Sequence, residues 1–269
     1  MMFALTRRGL PWLAAAAIGV MLAPAAFAAD KLNVGAYPSN PPWEFKNAEG
    51  QFEGFEVDMA KDIGKRLGLD IDISDMGFSA LFAATSSKRI DLAISTITIT
   101  KERLKSQSFT QGFYDSDGAL ATRIDSKIKG LADAKGATIG VLSTSVGEVW
   151  AKANKDKYGF AEIRGYDTYQ NLLLDLQNGR SQGVVSDFAG MQYYFQKMKD
   201  LKIAERIPSP DDRYGLMMTK DHPLLAKVND AVTTMKKDGT LAGIYKKWFG
   251  VDPEPHSSTV EERPLPKAE

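Results

Sequence analysis

The chain has no cysteine among its 269 residues. That removes disulfides, thiolate metal sites, a cysteine nucleophile and a lipid-bearing N-terminal cysteine. Histidine is nearly as scarce. His222 and His256 are the only two, and neither stands in a metal-ligand spacing or beside an acid–nucleophile pattern. Charge of either sign is not in excess, with 34 basic and 34 acidic side chains, so the basic surplus that binds nucleic acid is missing. No metal, cofactor or nucleic-acid partner is expected.

The first 28 residues read as an export address. Arg7 and Arg8 precede the alanine-rich apolar run 10–22, and Ala26-Phe27-Ala28 forms a small-x-small cleavage site. The run is short for a membrane span and has no basic stop-transfer flank, which argues against an uncleaved anchor. Cleavage is expected after Ala28, leaving a periplasmic chain that has lost two positive charges. The pair Arg7-Arg8 hints at a twin-arginine signal, but Pro11 and Trp12 fit that pattern poorly and the ordinary secretory route is favoured.

Beyond the leader, short apolar strands alternate with amphipathic helices, the pattern of an α/β protein. Lys31–Gly35 is a strand that runs into the proline-rich loop 37–43. Met59, Ile63 and Leu67 recur at spacing four on a helix that Gly68 ends. Residues 70–73 and 92–94 are strands, residues 78–87 a helix, and Leu225, Val228, Val232 and Met235 share one face of a helical stretch that Gly239 interrupts.

An internal echo organises the chain. Residues 78–96 align without a gap on residues 169–187, so that Phe78 falls on Tyr169, Leu81 on Leu172, Arg89 on Arg180 and Thr96 on Asp187. Two lobes of similar build are expected, each a mixed, mostly parallel sheet flanked by helices. The expected division is lobe 1 from 29–115 and 214–250, and lobe 2 from 116–213. Residues 113–123 and 208–212 would form the two crossings. A proline-rich tail, 251–269, would be extended or loosely docked.

Ligands of open α/β sheets sit beyond the C-terminal ends of strands. The strand 92–95 ends in Thr96-Ile-Thr98-Ile-Thr100-Lys-Glu-Arg103. Strict alternation would set Thr96, Thr98 and Thr100 on one side, with Thr100 an N-cap. A hydroxyl ladder, a helix start and Arg103 together suit a carboxylate. Asp187 ends the equivalent strand of the second unit and could accept an ammonium, although an aspartate there also reads as a helix N-cap.

At these residues the chain strongly resembles the polar amino-acid family of periplasmic solute-binding proteins, family 3 of the ABC-transporter binding components. The resemblance covers about residues 31–250. It is carried by residues 54–61 (GFEVDMAK), 88–91 (KRID), 97–103 (ITITKER) with Phe109 and Tyr114, 237–240 (KDGT) and 244–250 (IYKKWFG). It implies a hinge-closing fold, a zwitterionic ligand such as an amino acid, a membrane permease as partner, and a monomer. By position it implies that Thr96 and Thr98 contact the ligand's charged groups through backbone and hydroxyl, Arg103 binds the carboxylate, Asp187 binds the ammonium, and Phe78 forms a wall.

The sequence departs from the family pattern at informative places. Asn40 stands where an aromatic often stacks on the ligand. Tyr37 stands where binders of basic ligands tend to carry an acid, an argument for a neutral or polar ligand. Trp43 is read as core. Ser145 and Val146, in the loop Ser143-Thr-Ser-Val-Gly147, replace a glycine–threonine pattern; Ser145 still offers a hydroxyl and the amides of Val146 and Gly147 a carboxylate site. A lyase on the same fold, using Glu44 or Asp187 as general acid, is the enzyme alternative. A sensory binding protein for a receptor is the other. Ser126-Lys-Ile-Lys129 matches a serine–lysine pattern only trivially.

Overall fold

The computed structural model describes Met1 and residues 30–268, so the expected leader and its cleavage site lie outside the described residues. The chain opens with β1 (Lys31–Ala36), then a small hairpin sheet of β2 (Ser39–Asn40), β3 (Glu44–Lys46) and β4 (Phe52–Glu53). The helix α1 (Phe55–Leu67), β5 (Asp70–Asp75), α2 (Phe78–Ser86), β6 (Leu92–Ile94), α3 (Lys101–Ser106), β7 (Gln107–Phe109) and β8 (Tyr114–Asp115) follow. The middle of the chain forms β9 (Gly118–Arg123), β10 (Thr138–Leu142), α4 (Val146–Ala153), α5 (Lys155–Tyr158), β11 (Glu162–Tyr166), α6 (Tyr169–Gln177), β12 (Gly183–Asp187), α7 (Phe188–Phe195) and β13 (Leu201–Ile207). It returns through β14 (Arg213–Tyr214) and β15 (Met217–Thr219) to α8 (Leu225–Lys237) and α9 (Thr240–Phe249).

Two five-stranded sheets result, ordered β5-β1-β6-β15-β7 and β11-β10-β12-β9-β13. In each, the first three strands are parallel and the fourth runs against both neighbours. The two sheets therefore share one topology, and the expected class of two mixed, mostly parallel α/β units is the observed one.

The echo holds element by element. Helices α2 and α6 both have nine residues and start at the aligned aromatics Phe78 and Tyr169. The turn after each helix needs a left-handed residue at the same place, Lys88 (φ 58°) in one unit and Gly179 (φ 73°) in the other. The middle one of the three parallel strands in each sheet, β1 and β10, carries a glycine where the helix lies close. A Cβ on Gly35 would stand 2.8 Å from Leu81, and one on Gly140 would stand 2.7 Å from the aligned Leu172. The same close approach of helix to strand is thus built twice.

Local chemistry sets α1 as the periodicity predicts. Its first turn carries Glu56 and Asp58, its last turn Lys65 and Arg66, each sign favourable to the helix dipole, and Gly68 ends it in the left-handed region. Its apolar side joins β1, β6, α8 and α9 in a core around Trp43 and Phe55. Trp43 is fully buried, with Tyr114, Tyr214 and Phe249 rings within 4.5–5.5 Å, which fits its reading as core. Each such side chain contributes about 1.5–3 kcal/mol by burial. A further apolar cluster runs from Phe78 and Leu81 on α2 to Tyr169 and Leu172 on α6, bridging the two units.

Two sequence expectations need correcting. The first crossing is shorter than residues 113–123, because 118–123 is β9, an interior strand whose residues 119–122 are all buried. The chain crosses at Ser116-Asp117 and returns at 208–212, and β8 pairs with β14 beside the crossings. Nor is the tail loose. Ser258 and Thr259 are fully buried. Ser258 donates from its amide to Asp115 at 2.7 Å and from its hydroxyl at 2.5 Å, and Thr259 donates to the Phe113 carbonyl. The Lys236 ammonium is buried and donates to Gln111 Oε1, the Gly112 carbonyl and the Glu261 carbonyl of the tail. Apolar content could not reveal this docking, because hydrogen bonds carry it.

Removing residues 252–269 takes one of three acceptors from a buried ammonium and uncovers the strand pair at the crossing. The truncated protein is expected to lose about 1–3 kcal/mol of stability, measured by urea denaturation. An unchanged midpoint would show that the docked tail contributes nothing.

Candidate functional site

The strands β6 and β12 end in the same gap between the two sheets. A cavity of about 90 Å³ lies there, well above the ~10–15 Å³ that admits a single water, which suits a small molecule. Tyr37, Asn40, Phe78, Thr96, Thr98, Arg103, Ser145, Val146 and Asp187 all line it. The residues singled out from sequence are therefore brought to one place.

Arg103 comes from the first turn of α3. Its guanidinium donates to the Thr98 carbonyl at 2.7 Å and to the Thr144 carbonyl of the facing unit at 3.1 Å, and lies 5.0 Å from the Phe82 ring centre. It is in ion-pair contact with no carboxylate among the described residues, and part of its donor fork remains uncommitted. Burial lowers its pKa to about 10 against the opposing field of Asp212, still well above neutrality.

The threonine ladder is broken. Thr96 sits in the left-handed region at φ 47°, a conformation that costs a β-branched residue about 1–3 kcal/mol. Thr96 and Thr98 reach the cavity while Thr100 does not. Thr100 instead caps α3 by accepting from the Arg103 amide. The Thr96 amide donates to Glu56 Oε2 at 2.7 Å. That amide, expected to face a ligand, is therefore committed within the protein. Asn40 is equally committed: its side-chain amide donates to Glu44 Oε1 at 3.0 Å and to the Thr96 hydroxyl at 3.1 Å. Only its Oδ1 is left to offer.

Asp187 is both things the sequence offered. It caps α7, accepting from the Gly190 amide at 2.6 Å, and it lines the cavity. Burial raises its pKa, and the Gly190 amide offsets that only in part. Among the described residues no cation pairs with it. Next to it, Ser145 caps α4 by accepting from the Glu148 amide, and Glu148 reaches back to the Thr144 amide, a reciprocal N-cap. The amides of Val146 and Gly147 open that helix beside the cavity, where they have no intrahelical partner.

The two units touch across the gap. Tyr37 accepts at its hydroxyl from the Tyr169 amide at 2.9 Å, and Tyr194 donates to the Ser39 carbonyl at 2.8 Å. With the Arg103–Thr144 bond these hold the walls together. Tyr169, a lining residue not picked from sequence, had a signal: it is the echo partner of Phe78. Asp117, Ser209 and Asp212 also line the cavity, from the crossings, and nothing local in the sequence marks them. Of the alternative catalytic groups, Glu44 is fully buried behind Asn40 and does not line the cavity. His222 faces Asp91 and His256 faces Glu261, both away from it.

Comparison with known proteins adds an independent line. Residues 32–251 match the family model described as bacterial extracellular solute-binding proteins, family 3. The ABC transporter arginine-binding protein 1 of Escherichia coli (strain K12) is 32% identical over 229 residues, which cover 83% of this chain and 93% of that protein. Among solved structures, an ancestral arginine-binding protein bound to arginine is 34% identical with a TM-score of 0.77, covering 82% of this chain and 98% of the other. An ancestral arginine-binding protein bound to glutamine is 33% identical with a TM-score of 0.76, at the same coverage. No helix of the described residues is long and apolar enough to cross a membrane.

The uncompensated charge of Asp187 generates a stability prediction. Its raised pKa means that the folded state holds a proton the unfolded chain, near the usual ~3.9, has shed. The destabilisation is absent below that value and develops as pH rises through the folded value. An asparagine at this position would cap α7 about as well. Ligand-free Asp187→Asn protein is therefore expected to gain about 1 kcal/mol at neutral pH, or about 2–4 °C in Tm, with the gain vanishing toward pH ~3.5. Calorimetric melting across pH checks it.

Proposed function

The chain belongs to the bacterial extracellular solute-binding proteins, family 3, and from that premise we propose that it is the exported, periplasmic binding component of an ABC importer, holding an amino acid or related amino-carboxylate between two lobes. The lobes are 29–115 with 214–250, and 116–213. One observation carries the reading: Arg103 and Asp187 face one small cavity from opposite walls, and neither is in ion-pair contact with another protein charge among the described residues. A zwitterion supplies both missing partners at once.

In this reading Arg103 takes the α-carboxylate through its open fork. The Thr98 and Ser145 hydroxyls and the first amides of α4 complete that shell. Asp187 and the Thr96 hydroxyl take the ammonium. Phe78 and Tyr169 flank the ligand, and Tyr37 with Asn40 closes the side-chain end. Those end groups are uncharged, which favours a neutral or polar side chain. The protein works as a monomer that binds and releases without turnover, and a membrane permease receives the ligand. Hinge motion at the two crossings opens and shuts the cleft.

Asp212 supports a second reading of the ligand. It is half-buried on the crossing and forms no ion pair with a described residue, so it would suit a second cationic group, as in arginine.

Isothermal titration with a panel of L-amino acids tests both. One ligand per chain is expected, recovered chemically unchanged. Arg103→Ala and Asp187→Asn should each weaken binding by about 100-fold or more, since each strands a buried charge on its partner. If no amino acid binds, or if Arg103→Ala binds like the parent, the reading fails. Tighter binding of L-arginine than of L-glutamine, with the preference lost in Asp212→Asn, would select the cationic ligand.

A further inference from the structure

Two buried carboxyl groups lie beneath the cleft floor and take no part in the clamp. Glu44 on β3 and Glu56 in the first turn of α1 are both fully buried, and neither lines the cavity. Both are tied to the turn at Thr96, and each acts electrostatically on the other. Two ionised carboxylates hold acceptors and no donor, so a pair buried together with no cation calls for a proton. Their bonds agree. Glu56 Oε2 accepts from the Thr96 amide, and Glu44 Oε1 accepts from Asn40. The remaining oxygens, Glu44 Oε2 and Glu56 Oε1, are buried with no donor from any other group. One shared proton satisfies both.

The groups held by this pair are floor residues. Asn40, Ser95 and Thr96 all line the cavity, and Ser95 acts on both carboxyl groups. The left-handed turn at Thr96 has its amide pinned by Glu56 and its hydroxyl pinned through Asn40 by Glu44. We infer that Glu44 and Glu56 share one proton and act as positioning residues, the singly charged pair holding Asn40, Ser95 and Thr96 in the ligand-binding arrangement and releasing them when the proton leaves.

The titratable groups facing the pair are tyrosines. Tyr37 beyond β1 and Tyr194 on α7 face Glu44, and Tyr214 on β14 faces Glu56. Burial pushes all three upward, so they stay neutral while the pair titrates. No lysine, arginine or histidine appears among the groups acting on either carboxyl. Desolvation raises both, Glu56 to about 7 and Glu44 well above its usual value, where the Glu56 charge adds to the effect. An unfolded glutamate has lost its proton by pH ~4.3. The stabilisation is therefore full at acid pH; part is lost by about 7, where the pair becomes singly charged, and the rest above that, where the shared proton leaves. Ligand affinity should follow, falling about tenfold per pH unit once the proton is gone.

The affinity part of the test rests on the proposed function; the proton itself does not. Glu44→Gln puts an amide N–H where the shared proton sits, while its carbonyl still accepts from Asn40. Titrations with L-glutamine and L-arginine, with Tm of the ligand-free protein, would run from about pH 6 to about pH 9. The parent should lose affinity and Tm toward the alkaline end, and E44Q should match it at the acid end and hold its values throughout. Any loss from the ligand's own amine would remain in E44Q. Infrared spectra near neutral pH should show a protonated-carboxyl stretch in the parent that E44Q lacks. Parallel pH profiles for parent and E44Q, or no such stretch, would overturn the inference. Should E44Q fail to fold, E56Q poses the same question, and the parent's infrared band decides alone. If the parent binds neither amino acid, the ligand reading falls, while Tm and the infrared band still judge the pair.

Discussion

One half-buried carboxylate given no cation governs the cleft. Asp187 receives the Gly190 amide and nothing of opposite charge among the described residues. An ion partly withdrawn from water without a counter-charge carries a desolvation penalty. The protein keeps that penalty in the empty state, and under the proposed function the ligand ammonium relieves it. Arg103 is the counterpart, half-buried and satisfied by carbonyls alone. Because one group stands on each wall, neither wall offers both ends of a zwitterion. Binding and closure are then a single equilibrium: the ligand prefers the closed form because only there does it meet both charges.

That arrangement depends on two strand ends arriving at the same depth from opposite sides. The repeated unit supplies this. A nine-residue helix lies against a strand with a glycine at the point of contact, turns through a left-handed residue, and returns as the next strand. Since both copies have the same length from helix start to strand end, Thr96 and Asp187 are equivalent points of equivalent frames. Phe78 and Tyr169, each the first residue of its helix, face the ligand space for the same reason. The copies differ in chemistry where function requires it. The first unit ends in a hydroxyl on a left-handed turn, the second in a carboxylate that caps a helix.

What the sequence made legible follows from what is local. Helix α1 with its glycine stop, helix α2, strand β6 and the echo rest on spacing within a few residues, and they stand where periodicity set them. The cleft residues were legible because they sit at strand ends and helix starts, which short patterns mark. The crossings were not, because β9 reads as an apolar segment whose sheet neighbours lie over 60 residues away in sequence. The docked tail was hidden for another reason: polar residues meeting backbone carbonyls leave no apolar period. Asp212 and Asp117 belong to the cavity only because two distant crossings run side by side. Strict alternation misled at Thr100, since α3 begins there and its hydroxyl turns to cap that helix.

The cleft and its floor therefore hold acids of two kinds, and their difference explains how one small region is both rigid and responsive. Glu44 accepts from Asn40 and Glu56 accepts from the Thr96 amide. With a proton between them their polar demands are met from within, which is what a stiff floor requires. Asp187, a short distance away on the other wall, has its demand met only in part. A fully satisfied network gains nothing from a visitor, whereas an unsatisfied charge gains a great deal. Placing the first kind in the wall that carries the strained turn, and the second in the facing wall, assigns shape to one lobe and hunger for charge to the other. Exchanging the roles would fail on both counts: an unpaired acid under Thr96 would loosen the turn that shapes the pocket, and a self-satisfied acid at the end of β12 would leave closure with nothing to gain.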